Sequence, residues 1–175
     1  MLFCSFRKVE LMTAKAKNYA LLIQQAHSLL AGETDLIANM SNLVALLFHG
    51  LPNLNGVAYY RFKEGELILG PFQGKPACMH IQVGRGGVCG TVAQTRKTEI
   101  VANVHEFAGH IACDAASKSE IVVPVFKDTK FWGGVLDLDS PAYGTFDEVD
   151  KKYLLELAPV IFGETANLRQ ETQHH

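Results

Sequence analysis

The chain has 175 residues, of which 48% are apolar and 19% charged, and its formal net charge is −2. That balance describes one globular domain with a substantial core, and it excludes the basic footprint of a nucleic-acid binder. No stretch approaches the ~18 apolar residues of a membrane span, and the run Leu2–Phe6 before Arg7 and Lys8 is too short for a signal peptide, so a cytoplasmic location is expected.

Residues 13–31, rich in Ala, Leu, Gln and Lys, predict a first helix that stops at Gly32. Thr34 is placed as the N-cap of a second helix. Its Leu36, Ile37, Met40, Leu43, Val44, Leu47 and Phe48 recur at helical spacing and mark a buried face, and Gly50 and Pro52 end it. VAYYRF (57–62) and ELIL (66–69) predict a hairpin across KEGE. ACMHIQV (77–83) alternates and reads as a third strand carrying Cys78, with His80 on the same face.

The glycine-rich GRGGVCG (84–90) leads into a short helix to about Arg96. It fits neither G-x-G-x-x-G nor the Gly-Lys-Ser/Thr ending of a phosphate loop, so nucleotide binding is not expected there. A short strand at 98–101 precedes an aperiodic loop over 102–118, a length that in a compact domain is usually functional. IVVPVF (121–126) and FWGGVLDL (131–138) predict a second hairpin across KDTK. Thr145 and Glu148 form a capping-box pattern for a C-terminal helix to about Gln170, kinked or split at Pro159. Hairpins dominate, so the fold class is α+β: a largely antiparallel six-stranded sheet with N- and C-terminal helices packed on it.

Cys4, Cys78, Cys89 and Cys113 are expected to be free thiols in a reducing compartment. No pair has the spacing of a structural zinc site, and no metal is expected. Cys113 lies in the long loop between His110 and Lys118, where a nearby positive charge makes a thiol reactive; the alternative is a loop cysteine with no role. Cys89, at a turn before a helix, is either a thiolate favoured by the helix N-terminus or a small core residue. Asp137 and Asp139 sit two apart, so on a strand they share one face while Leu136 and Leu138 share the other. Adjacent carboxylates repel, which raises a pKa and makes a proton donor; the alternative is an exposed acidic face.

LGPFQGKPAC (69–78), GGVCGTV (86–92), HIACDAASKSEIVVPV (110–125) and GGVLDLDSP (133–141) together resemble the free methionine-(R)-sulfoxide reductases, which are catalytic GAF-domain proteins. The resemblance spans roughly residues 34–165. It implies a GAF domain over 13–171, between an N-terminal extension (1–12) and a tail (172–175). It also implies a closed pocket for a free amino acid, and thiol catalysis recycled by thioredoxin and NADPH without a metal or organic cofactor.

Carried over by motif position, Cys113 is the attacking thiol, Cys78 the resolving thiol and Cys89 an auxiliary thiol. Glu120, Asp137 and Asp139 match the acidic pocket residues that would protonate the sulfoxide oxygen and hold the substrate ammonium, and Tyr60 joins them in substrate binding. A homodimer is compatible with the apolar faces of the terminal helices. Two positions depart from the family pattern. The family carries Trp in a Trp-x-Gly-Phe-Tyr pattern where this chain has Gly56, and one extra residue stands within QVGRGGV between Cys78 and Cys89. The competing reading is a non-catalytic GAF domain that senses a small ligand, which Gly56 favours and the retained thiols and acids disfavour.

Overall fold

Alternation along the strands sorts the side chains into two layers. The computed structural model describes residues 13–109 and 115–163. Its strands are β1 (Gly56–Lys63), β2 (Glu66–Gly74), β3 (His80–Gln82), β4 (Glu99–Val101), β5 (Ser119–Lys127) and β6 (Lys130–Ser140), and its helices are α1 (Ala14–Leu29), α2 (Leu36–Gly50), α3 (Gly87–Thr95) and α4 (Glu148–Leu157). The strands form one antiparallel sheet in the order β3-β2-β1-β6-β5-β4.

One face of the sheet buries Val57, Tyr59, Ile121, Val123, Leu136 and Leu138 beneath the apolar sides of α1, α2 and α4. The other buries Ala58, Tyr60, Val122 and Val135 against Val88 and Val92 of α3. The period of two therefore sends Tyr59 and Tyr60 to opposite layers. Tyr59 donates its hydroxyl to the Ala158 carbonyl at 2.9 Å on the helical side. Lys15 ties α1 to α4, with Nζ 2.9 Å from Asp147 and 2.5 Å from Asp150. Among the described residues no helix is long and apolar enough to cross a membrane.

Several boundaries differ from the sequence expectation, each for a local reason. The N-cap of α2 is Asp35, which accepts from the Ala38 N–H at 2.8 Å; the Thr34 N–H is already held by the Glu33 carboxylate at 2.7 Å. The capping box of α4 is Asp147 with Asp150, while Thr145 shares a 2.7 Å hydroxyl hydrogen bond with Ser140. α4 ends at Leu157, and Pro159 lies in a 3₁₀ turn over Ala158–Phe162. The 102–118 segment includes a short 3₁₀ turn, Val104–Glu106. The third strand is only His80–Gln82, the residues that pair with Ile68, Leu67 and Glu66 of β2. Cys78 therefore lies in the connection before β3 and shares no strand face with His80, whose exposed ring meets Glu66 at 3.0 Å. The second hairpin is longer than expected, which puts Glu120 and Asp139 inside strands.

Candidate active site

On the α3 side of the sheet, register brings the acidic residues together. Ala58 pairs with Asp137, and Gly56 with Asp139. Glu120 pairs with Asp139 from the other neighbouring strand. Glu120, Asp137 and Asp139 thus share one face with Gly56, Ala58 and Tyr60.

α3 presses Cys89 onto this patch. The approach is so close that a Cβ on Gly90 would stand 2.5 Å from the Gln82 carbonyl oxygen, and one on Gly86 would stand 2.2 Å from the Ile81 side chain. The turn leading into α3 leaves Cys89 at the sheet. Its Sγ donates to Glu120 Oε1 at 3.9 Å, and one ligand atom each from Cys89, Glu120 and Asp137 lies within 4.8 Å of the others.

All three groups are buried. Desolvation, reinforced by Asp139, pushes the Glu120 carboxyl well above the usual carboxylate range. Desolvation, with Asp139 and Glu120, does the same to Asp137. Among the described residues no cation offsets this burial, which disfavours the charged form of both carboxyl groups. Burial, then the charge of Asp137, likewise pushes up the Tyr60 phenol.

Cys89 is a correction to the helix-terminus expectation. Burial, followed by Asp137 and Glu120, raises its thiol pKa and outweighs the N-terminus of α3, so Cys89 is a neutral thiol. Cys78, expected to be free, is disulfide-bonded; its partner is not Cys89, which is free. Cys113, with His110 and Asp114, lies outside the described residues.

Above the acids opens a cleft of about 390 Å³. Gly56, Ala58 and Tyr60 line it with Asp137 and Asp139, and Ala77 brings its wall up to Cys78. Four further lining residues were not singled out from the sequence: Asn55, Phe72, Lys75 and Ser117. The Asn55 side-chain amide donates to the Ser117 hydroxyl at 3.1 Å and joins two walls. Phe72 and Lys75 belong to the same LGPFQGKPAC stretch as Cys78, and that proximity was the available signal.

A GAF domain model matches residues 23–161. The free methionine-R-sulfoxide reductase of Escherichia coli (strain K12) is 45% identical over 143 residues, covering 82% of this chain and 86% of that one. Protein YtsP of Bacillus subtilis (strain 168) is 52% identical over 149 residues, covering 84% and 90%. The structure of fRMsr of Staphylococcus aureus in complex with substrate superposes with a TM-score of 0.77 at 53% identity, covering 83% of this chain and 94% of that one.

The chain belongs to the free methionine-R-sulfoxide reductase family of GAF domains. This is a family of oxidoreductases, and the curled antiparallel sheet with its flanking helices is the GAF architecture. Within the GAF domain the acidic cluster is drawn from β5 and β6 and the thiol from α3, which packs on that pair of strands.

Proposed function

We propose that the chain reduces free L-methionine-(R)-sulfoxide to methionine, with Cys113 as nucleophile. The Cys113 sulfur attacks the sulfoxide sulfur while the sulfoxide oxygen takes up a proton. The oxygen then passes from the substrate sulfur to the Cys113 sulfur as the bond between the two sulfurs breaks, so methionine leaves reduced and Cys113 is oxidised to a sulfenic acid. Cys78 condenses with the sulfenic acid, releasing water and forming a disulfide. Thioredoxin, kept reduced by NADPH, returns both thiols by exchange. The two electrons come from thiols, and no metal or organic cofactor enters.

The observation that carries this reading is the buried Glu120–Asp137 pair, whose Asp137 lines the cleft together with Ala77, the chain neighbour of the disulfide-bonded Cys78. Two carboxyl groups that share a proton supply the acid that a departing oxygen needs. Once the substrate is bound, the remaining negative charge of Glu120, Asp137 and Asp139 offers charge-assisted hydrogen bonds to its ammonium. Tyr60, buried among the same acids, lines the cleft where the substrate's apolar chain would lie. Cys89 is the auxiliary thiol, held neutral. A site that grips a free ammonium rejects methionine sulfoxide within a peptide.

The test is a thioredoxin-coupled assay of NADPH consumption with the free R epimer, the free S epimer and a peptide-bound sulfoxide, run beside Cys113→Ser. Consumption with the free R epimer alone, abolished by Cys113→Ser, is the expected result. Gly56, which opens the cleft, favours a second reading as a sensor that binds without turnover. No consumption, together with a melting temperature raised by free methionine sulfoxide, would establish that one.

A further inference from the structure

Cys89 is a thiol that the proposed chemistry does not spend, and it faces two carboxyl groups. Cys89, Glu120 and Asp137 each place one ligand atom within 4.8 Å of the other two, and all three side chains are buried. Asp137 is only 7% exposed, and its Oδ1 has no hydrogen-bond donor. A buried oxygen acceptor without a donor is costly, and a cation removes that cost. Among the described residues, no lysine, arginine or histidine is a cause of the shifts of Glu120 or Asp137.

The donor set selects the cation. One sulfur and two carboxylate oxygens suit a borderline ion such as zinc, whereas calcium and magnesium take oxygen ligands only. Zinc bonds of ~2.3 Å to sulfur and ~2.1 Å to oxygen require ligand atoms roughly 3.5 Å apart. The observed Cys89–Glu120 separation is 3.9 Å, within reach of a small side-chain rotation. Asp137 also lines the cleft, so a cation held by these three residues would be reached from it.

We propose that Cys89, Glu120 and Asp137 form a three-ligand site for a zinc-class divalent cation that inhibits the enzyme by competing with its substrate. The competitive half rests on the functional reading above, in which the same two carboxyl groups face the substrate. Binding involves no redox step. The Cys89 thiol loses its proton to solvent as the sulfur–metal bond forms, and the proton shared by the carboxyl pair leaves with it. Substrate and metal exclude each other because each requires Glu120 and Asp137.

Cobalt(II) is the probe, because a cobalt–thiolate bond absorbs in the near ultraviolet. Cys89 is the sole thiol in the full-length Cys4→Ser/Cys78→Ser/Cys113→Ser variant. One equivalent of cobalt should give the band there, and adding Cys89→Ala should abolish it. Glu120→Gln or Asp137→Asn should each weaken binding at least ~10-fold, since losing even an outer-shell partner costs that much. Circular dichroism checks the fold, and oxidised Cys4→Ser protein takes the same titration if the triple variant does not fold.

Absence of the band, or a band that survives Cys89→Ala, overturns the site. Excess free methionine sulfoxide should erase the band. A Cys89-dependent band that resists it overturns competition and with it the placement of substrate at these carboxyl groups. No band from a protein whose wild type still reduces methionine sulfoxide overturns the metal site alone.

Discussion

Gly56 stands directly opposite Asp139 on the β1–β6 ladder, and a Cβ built on it would lie 3.3 Å from Asp139 Oδ2. Any side chain here enters the cleft beside an acid, so the residue at 56 sets how much room a ligand has next to Asp139. With glycine the space stays open, and the family's tryptophan would fill it. Gly56→Trp should lower KM for free methionine sulfoxide about fourfold, the equivalent of ~0.8 kcal/mol for one buried methyl-sized contact. It should also suppress turnover of the S-ethyl analogue, which the open space at Gly56 should let the wild type accept. Steady-state kinetics on the two sulfoxides checks both, and equal KM values in the variant and wild type would show that position 56 does not face the substrate.

The assignment of Cys78 as resolving thiol separates two kinetic phases. If Cys78 acts only after methionine has left, Cys78→Ser keeps the first turnover and loses the thioredoxin-supported cycle. Mixing reduced variant with excess substrate should release about one methionine per chain in a burst, and a sulfenic-acid reagent should label the product. Steady-state NADPH consumption should fall by at least ~10²-fold, on the scale of losing a group needed in every cycle. A variant that still cycles at the wild-type rate assigns resolution to another thiol.

How much of this site was legible beforehand depends on which interactions are local. The pairing of Asp137 with Asp139 on one face, and the split of Tyr59 from Tyr60, follow from the two-residue period of a strand, which one segment carries by itself. The antiparallel architecture follows from two hairpins, also local. The strand limits near Cys78 were not legible: alternation in ACMHIQV suggests a strand, but only pairing with β2 decides where it starts and stops. Which of the two readings of Cys89 holds was not legible for a similar reason. Its position on α3 suggests a thiolate, whereas the residues that keep it neutral, Glu120 and Asp137, lie at least 31 positions away in the chain. The walls formed by Asn55 and Ser117, separated by 62 positions, carry no local signal at all.

Away from the cleft, Lys15 and Asp147 link stability to pH. Slight burial pushes the Asp147 carboxyl up, but the Lys15 ammonium and the N–H groups of Val149 and Asp150 outweigh it and hold it below the usual carboxylate range. A carboxylate held low in the fold adds stability that is present above its unfolded pKa of about 3.9 and lost as pH falls through the folded value. Asp147→Asn keeps an N-cap acceptor and removes the charge, so it isolates the electrostatic part. Because Asp147 is 55% exposed, the loss at neutral pH should be no more than about 1 kcal/mol. Melting curves of the two proteins should converge as pH drops below ~3.9, and a gap that stays constant would assign the loss to packing.

The buried carboxyl pair sets stability against activity. Glu120 and Asp137 sit in a desolvated site in which no cation among the described residues offsets their burial, a cost that the fold bears at neutral pH. Asp137→Asn removes one buried acid and supplies an amide N–H₂ that can donate to Glu120. It should therefore raise the melting temperature by about 2–4 °C for each kcal/mol recovered in a chain of this length. The same change removes the shared proton from which the departing sulfoxide oxygen is served, so kcat should fall by ~10²–10⁴-fold, the usual contribution of a general acid. Calorimetry and single-turnover methionine release on one preparation measure both effects together. A variant that is less active and less stable would mean that Asp137 holds the sheet together. A variant that is more stable and inactive would mean that its carboxyl group is kept in the cleft for chemistry.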